Sequence, residues 1–82
     1  MVHMSDDLPV PGDYLVFCKA MINRSGVGPL WTEPGARCLV VEVREFERRV
    51  HLRVLLANCL VLFRCDKHAV WINWRRIIDT DQ

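Results

Sequence analysis

The stretch 37–64, RCLVVEVREFERRVHLRVLLANCLVLFR, decides the fold. From Arg37 to Arg44 the pattern nearly alternates. Side chains point to opposite faces of a strand in turn, so Leu39, Val41 and Val43 are expected on the core face. Cys38, Val40, Glu42 and Arg44 then face the other way. Val50, Leu52, Val54 and Leu56 repeat the period of two against His51, Arg53 and Leu55. Glu45-Phe46-Glu47-Arg48 makes the first turn, although it lacks a glycine. Ala57-Asn58 makes the second, and 59–64 the third strand. One alternative stays open. Leu52, Leu55, Leu56, Cys59, Leu60 and Phe63 also fit helical spacing, and a helix near residues 45–64 would make the chain α+β. Such a helix would be apolar all round, and the Val content favours strands.

Outward from this core, residues 14–20 read as a first strand rich in Val, Phe and Tyr. A long polar loop, Asn23 to Pro29, runs on through Leu30-Trp31 to the turn at Pro34-Gly35. Loops of this length in small domains are often functional. Beyond Arg64, Asp66-Lys67 turns the chain into 68–72. Asn73-Trp74-Arg75-Arg76 is expected to form a short helical turn before Ile77-Ile78. Residues 1–11 are expected to be a flexible lead-in, 12–79 a single domain, and 80–82 a tail.

This order is a strand, a long loop, three antiparallel strands on short turns, a helical turn and a last strand. It resembles the SH3-like small barrel across about residues 12–79. The resemblance implies a mostly β fold, a small open five-stranded antiparallel barrel with a short helical turn near the C-terminus. The acidic first loop with paired tyrosines and the late Pro-x-x-Tyr of signalling SH3 domains are missing, so Pro-rich peptide binding is not implied. The Gly-rich pattern of KOW barrels is missing too. Tyr14, Trp31, Trp71 and Trp74 are too scattered in the chain to mark a Tudor-type aromatic cage. Fold alone does not fix function here.

The chain has 82 residues, 51% of them hydrophobic, with net charge +1. That size allows one core, and that composition opposes intrinsic disorder. No apolar run spans a bilayer, so no membrane partner is expected. The stretch 1–7 lacks the regions of a secretory signal, which makes cytoplasmic the expectation. Residues 36–78 carry eight arginines and Lys67 against Glu42, Glu45, Glu47 and Asp66. Arginine suits bidentate contact with carboxylate or phosphate.

No catalytic constellation is present: no nucleophile elbow, no phosphate-cradling loop and no close carboxylate pair, so the chain is expected not to be an enzyme. Cys18, Cys38, Cys59 and Cys65, with His51 and His68, are the residues to consider for zinc. They lack the close Cys pairs of zinc knuckles, and Cys65-Asp66-Lys67-His68 is the one tight spacing. Buried free thiols fit better, and no metal or cofactor is expected. Trp31, Trp74, Arg75, Arg76, Arg48 and Arg49 are the expected partner-binding residues, because aromatic and Arg side chains dominate interface energetics. Val40, Phe46, Leu55, Val61 and Leu62 are expected to leave some apolar surface outside the core. The function expected is a non-enzymatic binding module or adaptor that contacts a protein partner or self-associates. The alternative is nucleic-acid binding through Arg and Trp.

Overall fold

The computed structural model describes residues 7–77. The strands are β1 (Tyr14–Phe17), β2 (Met21–Ile22), β3 (Trp31–Thr32), β4 (Arg37–Glu45), β5 (Arg49–Leu56) and β6 (Cys59–Asp66). A 3₁₀ turn (Lys67–Ala69) and the one-turn helix α1 (Val70–Asn73) lead into β7 (Trp74–Ile77). Five strands form an open antiparallel sheet in the order β6-β5-β4-β1-β7, while β2 and β3 pair as a separate hairpin. The fold is mostly β, and the stretch 45–64 is a strand–turn–strand rather than a helix.

The β5–β6 turn is tight because Ala57 and Asn58 both adopt positive φ, 53° and 65°. That is the twist a two-residue hairpin loop requires. The β4–β5 turn closes through the Phe46 amide, which donates to the Arg49 carbonyl at 2.8 Å.

A bulge in β4 revises the expected facing. Val40 pairs with Val54 and Glu42 with Arg53, so Val41 is an extra residue in the ladder. An inserted residue reverses the alternation beyond it. Cys38 and Val40 are therefore buried before the bulge, and Val43 packs on the core after it. Leu39 and Val41, expected inside, lie on the other side of the alternation or at its break.

Two corrections apply to the chain ends. The first strand stops at Phe17, and the helical turn precedes Trp74 rather than containing it. Trp74 is extended and 1% exposed. Its indole meets Phe17 edge-on at 5.6 Å and Phe63 at 5.9 Å, and those two rings lie 5.4 Å apart. A helical backbone at Trp74 would forgo its pairing with Phe17 across the β1–β7 ladder. Edge-to-face aromatics of this kind add to the burial energy of the core. Of the expected lead-in, residues 7–11 are anchored: Pro9 is fully buried, Leu8 packs on the core, and Trp71 Nε1 donates to the Asp7 carbonyl at 2.7 Å. The expectations for residues 1–6 and 78–82 lie outside the described residues.

The β2–β3 hairpin leans on β6. Gly28 has φ +82°, and a Cβ there would sit 2.9 Å from Val61 Cγ2 and 3.1 Å from the Cys59 Cβ. Buried Asn23 ties the loop: its Oδ1 accepts from the Ser25 amide at 2.9 Å, and its Nδ2 donates to the Pro29 carbonyl at 3.0 Å. The long polar loop is thus ordered by one amide side chain.

Candidate functional site

The bulge hands Leu39 to the outer face of the sheet, and cross-strand pairing builds a site around it. Directly paired residues share a face. Ile77 pairs with Tyr14, Tyr14 with Leu39, Leu39 with Leu55, and Leu55 with Leu60. One apolar residue from every strand of the sheet therefore lies in a single unbroken row. Tyr14 is 56% exposed, Leu55 42% and Leu60 43%, while Leu39 and Ile77 are half-buried. The row lines a shallow hollow of about 730 Å³ with Tyr14, Leu39, Leu55 and Ile77 in its wall and Arg37 among its polar groups.

Arginines flank the row on both sides. On one side Val16 pairs with Arg37 and with Arg75. On the other, Arg53 pairs with Glu42, and His51 stands between Arg44 and Arg64. With Arg49, the outer face carries, among the described residues, six arginines and two carboxylates, Glu42 and Asp66. Glu42 is engaged within this face. Arg44 Nε donates to it at 3.1 Å and Arg53 Nε at 3.2 Å, and the Arg44 guanidinium foremost holds its carboxyl below the usual range. Among the described residues, no carboxylate pairs with Arg37, Arg64 or Arg75.

The residues expected to bind a partner do not converge. Trp74, expected with Arg75 and Arg76 to bind a partner, belongs instead to the core. Period two also separates the two arginines. Arg75 lies on the outer face beside the row, whereas Arg76 faces the other way, paired with Leu15. Its Nε donates to Asp13 Oδ2 at 3.1 Å, a second nitrogen lies 3.6 Å from Asp7 Oδ1, and the guanidinium stacks 4.8 Å from the Trp71 ring. Arg76 is thus tied into a structural clasp. Arg48 and Arg49 are exposed at the β4–β5 end. Trp31 is exposed as expected, but on the separate hairpin, opposite Ile22.

Of the apolar residues expected outside the core, Leu55 and Phe46 are exposed and Leu62 half-buried, while Val40 and Val61 are buried. Tyr14, Leu39, Leu60 and Ile77 were not among the expected site residues. Part of the row could have been read from the sequence. A two-residue turn at Ala57-Asn58 leaves Leu56 opposite Cys59, and hence Leu55 opposite Leu60.

The thiols are free. Burial pushes the Cys38 thiol up to about 12 and the Cys65 thiol up to about 11. Neutral thiols of that kind are poor nucleophiles and poor ligands at neutral pH. Among the described residues no three His, Cys, Asp or Glu side chains converge as a metal cradle. No described helix is long and apolar enough to cross a membrane. Comparison of the chain with protein-family models, curated proteins and solved structures found no match.

Proposed function

We propose that this chain is a non-catalytic binding module of SH3-like barrel type that contacts another protein through the outer face of its sheet. The supporting observation is the row Ile77–Tyr14–Leu39–Leu55–Leu60, one apolar side chain from each of the five strands, exposed at Tyr14, Leu55 and Leu60 and half-buried at Leu39 and Ile77. Isolated apolar residues on a surface are ordinary, whereas a contiguous patch rimmed by polar groups marks an interaction site. The barrel assignment draws support from the element order and from β7 returning to pair beside β1.

A site-specific photo-crosslinking residue at Leu60, introduced in the native host, tests this reading. The same residue at Ile72, exposed on α1, is the control. A protein adduct formed from position 60 and not from position 72 is the expected outcome. Equal adducts from both positions, or none from position 60, would sink it.

A second reading, nucleic-acid binding, is favoured by the six outer-face arginines. It predicts binding that weakens steeply as salt is raised, because phosphate contacts release counterions.

A further inference from the structure

We infer that the outer face takes an acidic amphipathic segment of a partner protein, its apolar stripe on the row and its carboxylates on the flanking arginines. This rests on the proposal that the outer face is the binding surface. Charge placement carries the inference. Arg37 and Arg75 lie beside the row on one side, while on the other Arg53 lies beside it in an ion pair with Glu42 and Arg64 lies beyond Leu62. An apolar stripe set in a face with six arginines against two carboxylates is complemented by an apolar stripe edged by carboxylates. Complementary potentials of this kind set partner choice and speed encounter.

A second copy of the chain does not meet that requirement. A two-fold interface uses the same patch on both subunits. If the axis crosses the row, each arginine flank faces its own twin. Whatever the axis, the joined faces bring six arginines and two carboxylates from each copy, so arginine stays in excess. Asp7 and Asp13 are engaged by Arg76 away from the face. Nucleic acid would use the arginines but not the row between them. Single strands bind by stacking bases on aromatic rings, and Tyr14 is the row's one aromatic member.

The dimensions suit a helix. Four steps between five strands, each about 4.8 Å, make the row roughly 19 Å long. An α-helix covers that length in about 13 residues, with one apolar side chain per turn or more along one side.

The test uses a fluorescein-labelled peptide of about 14 residues, with leucines along one helical face and glutamates on both borders. Two controls accompany it: the same peptide with every Glu replaced by Lys, and one of identical composition with the leucines scattered. The expected result is saturable anisotropy with the Glu peptide and at least about tenfold weaker binding by each control. Leu55→Gln and the double variant Arg37→Glu/Arg75→Glu should each weaken the Glu peptide by about tenfold or more with melting curves retained. Leu60→Gln serves as the second apolar variant if Leu55→Gln melts early. Equal binding of the Lys or scattered peptide would overturn the inference. So would tighter binding of labelled single-stranded DNA than of the Glu peptide, or a dimer mass at concentrations where the Glu peptide fails to bind. If the Glu peptide fails while position 60 still crosslinks to protein, the inference falls and the binding face stands.

Discussion

The two faces of the five-stranded sheet are made from the same strands and both carry large apolar residues, yet only one of them is closed to water. On the inner face Leu15, Phe17, Leu52, Val54, Val61 and Trp74 are shut off from water around three aromatic rings. On the outer face Tyr14, Leu39, Leu55, Leu60 and Ile77 form a comparable apolar row with water over it. Hydrophobic stabilisation follows the area removed from water, at roughly 25 cal/mol per Å². The inner face has collected that stabilisation within the chain. The outer face leaves part of it uncollected, and the apolar residue types alone do not tell the two faces apart.

The comparison breaks most visibly at Phe17. Truncation of Phe17 to Ala is expected to cost about 3–5 kcal/mol, as for other large-to-small core changes. A small domain has little more than that in total stability, so loss of the cooperative melt by circular dichroism is the expected readout. A fully folded Phe17→Ala protein would mean that the inner face is not the structural one.

Gly28→Ala is expected to rank next, at about 1–3 kcal/mol, because its Cβ meets Val61 and Cys59 in a tight space. Loss of the hairpin's packing on β6 should appear as faster amide exchange at Asn23 and Thr32, with the five-stranded sheet protected. Uniform protection would separate the hairpin from the core it leans on.

The inner face should also carry an alkaline limit. An unfolded thiol ionises near 9, whereas burial holds Cys38 neutral up to about 12. The folded state therefore binds the proton more tightly, so this contribution is complete below pH 9 and is lost as pH rises from 9 towards 12. Urea midpoints at pH 8 and pH 10.5 should fall less in Cys38→Ala than in the parent protein. Equal slopes would remove Cys38 from the account.

The smallest effect is expected on the outer face. Leu60→Gln should change stability by no more than about 0.5 kcal/mol, as surface substitutions usually do. A thermal melt checks this, and a large loss would make the row structural after all.

Much of this architecture was legible in the sequence, for a local reason. Val50 to Leu56 alternates without a break, and Ala57-Asn58 returns the chain in two residues, so β5 and β6 could be read together. The bulge was not legible, because nothing in the composition of Val40-Val41-Glu42 marks which residue the partner strand will skip. Trp74 departs from expectation because its segment is extended rather than helical, which turns it inward beside an outward Arg75. Alternation, which had succeeded at Val50 to Leu56, would have separated Trp74 from Arg75. The outer row was hidden for a third reason. Its five members are distant in sequence and become neighbours only through pairing across all the ladders.

The extra residue in β4 has a consequence for how this chain can vary. Val41 acts as a reading-frame element: it decides which half of the strand shows its apolar residues inward. Deleting it would leave composition almost untouched and restore strict alternation. With the turns on both sides held, either Cys38 and Val40 or Val43 would then be turned out of the core. Leu39 would leave the outer row in the first case. Core and candidate binding face are thus set by one indel, so lineages of this domain can drift at Val41 in side-chain type far more freely than in length.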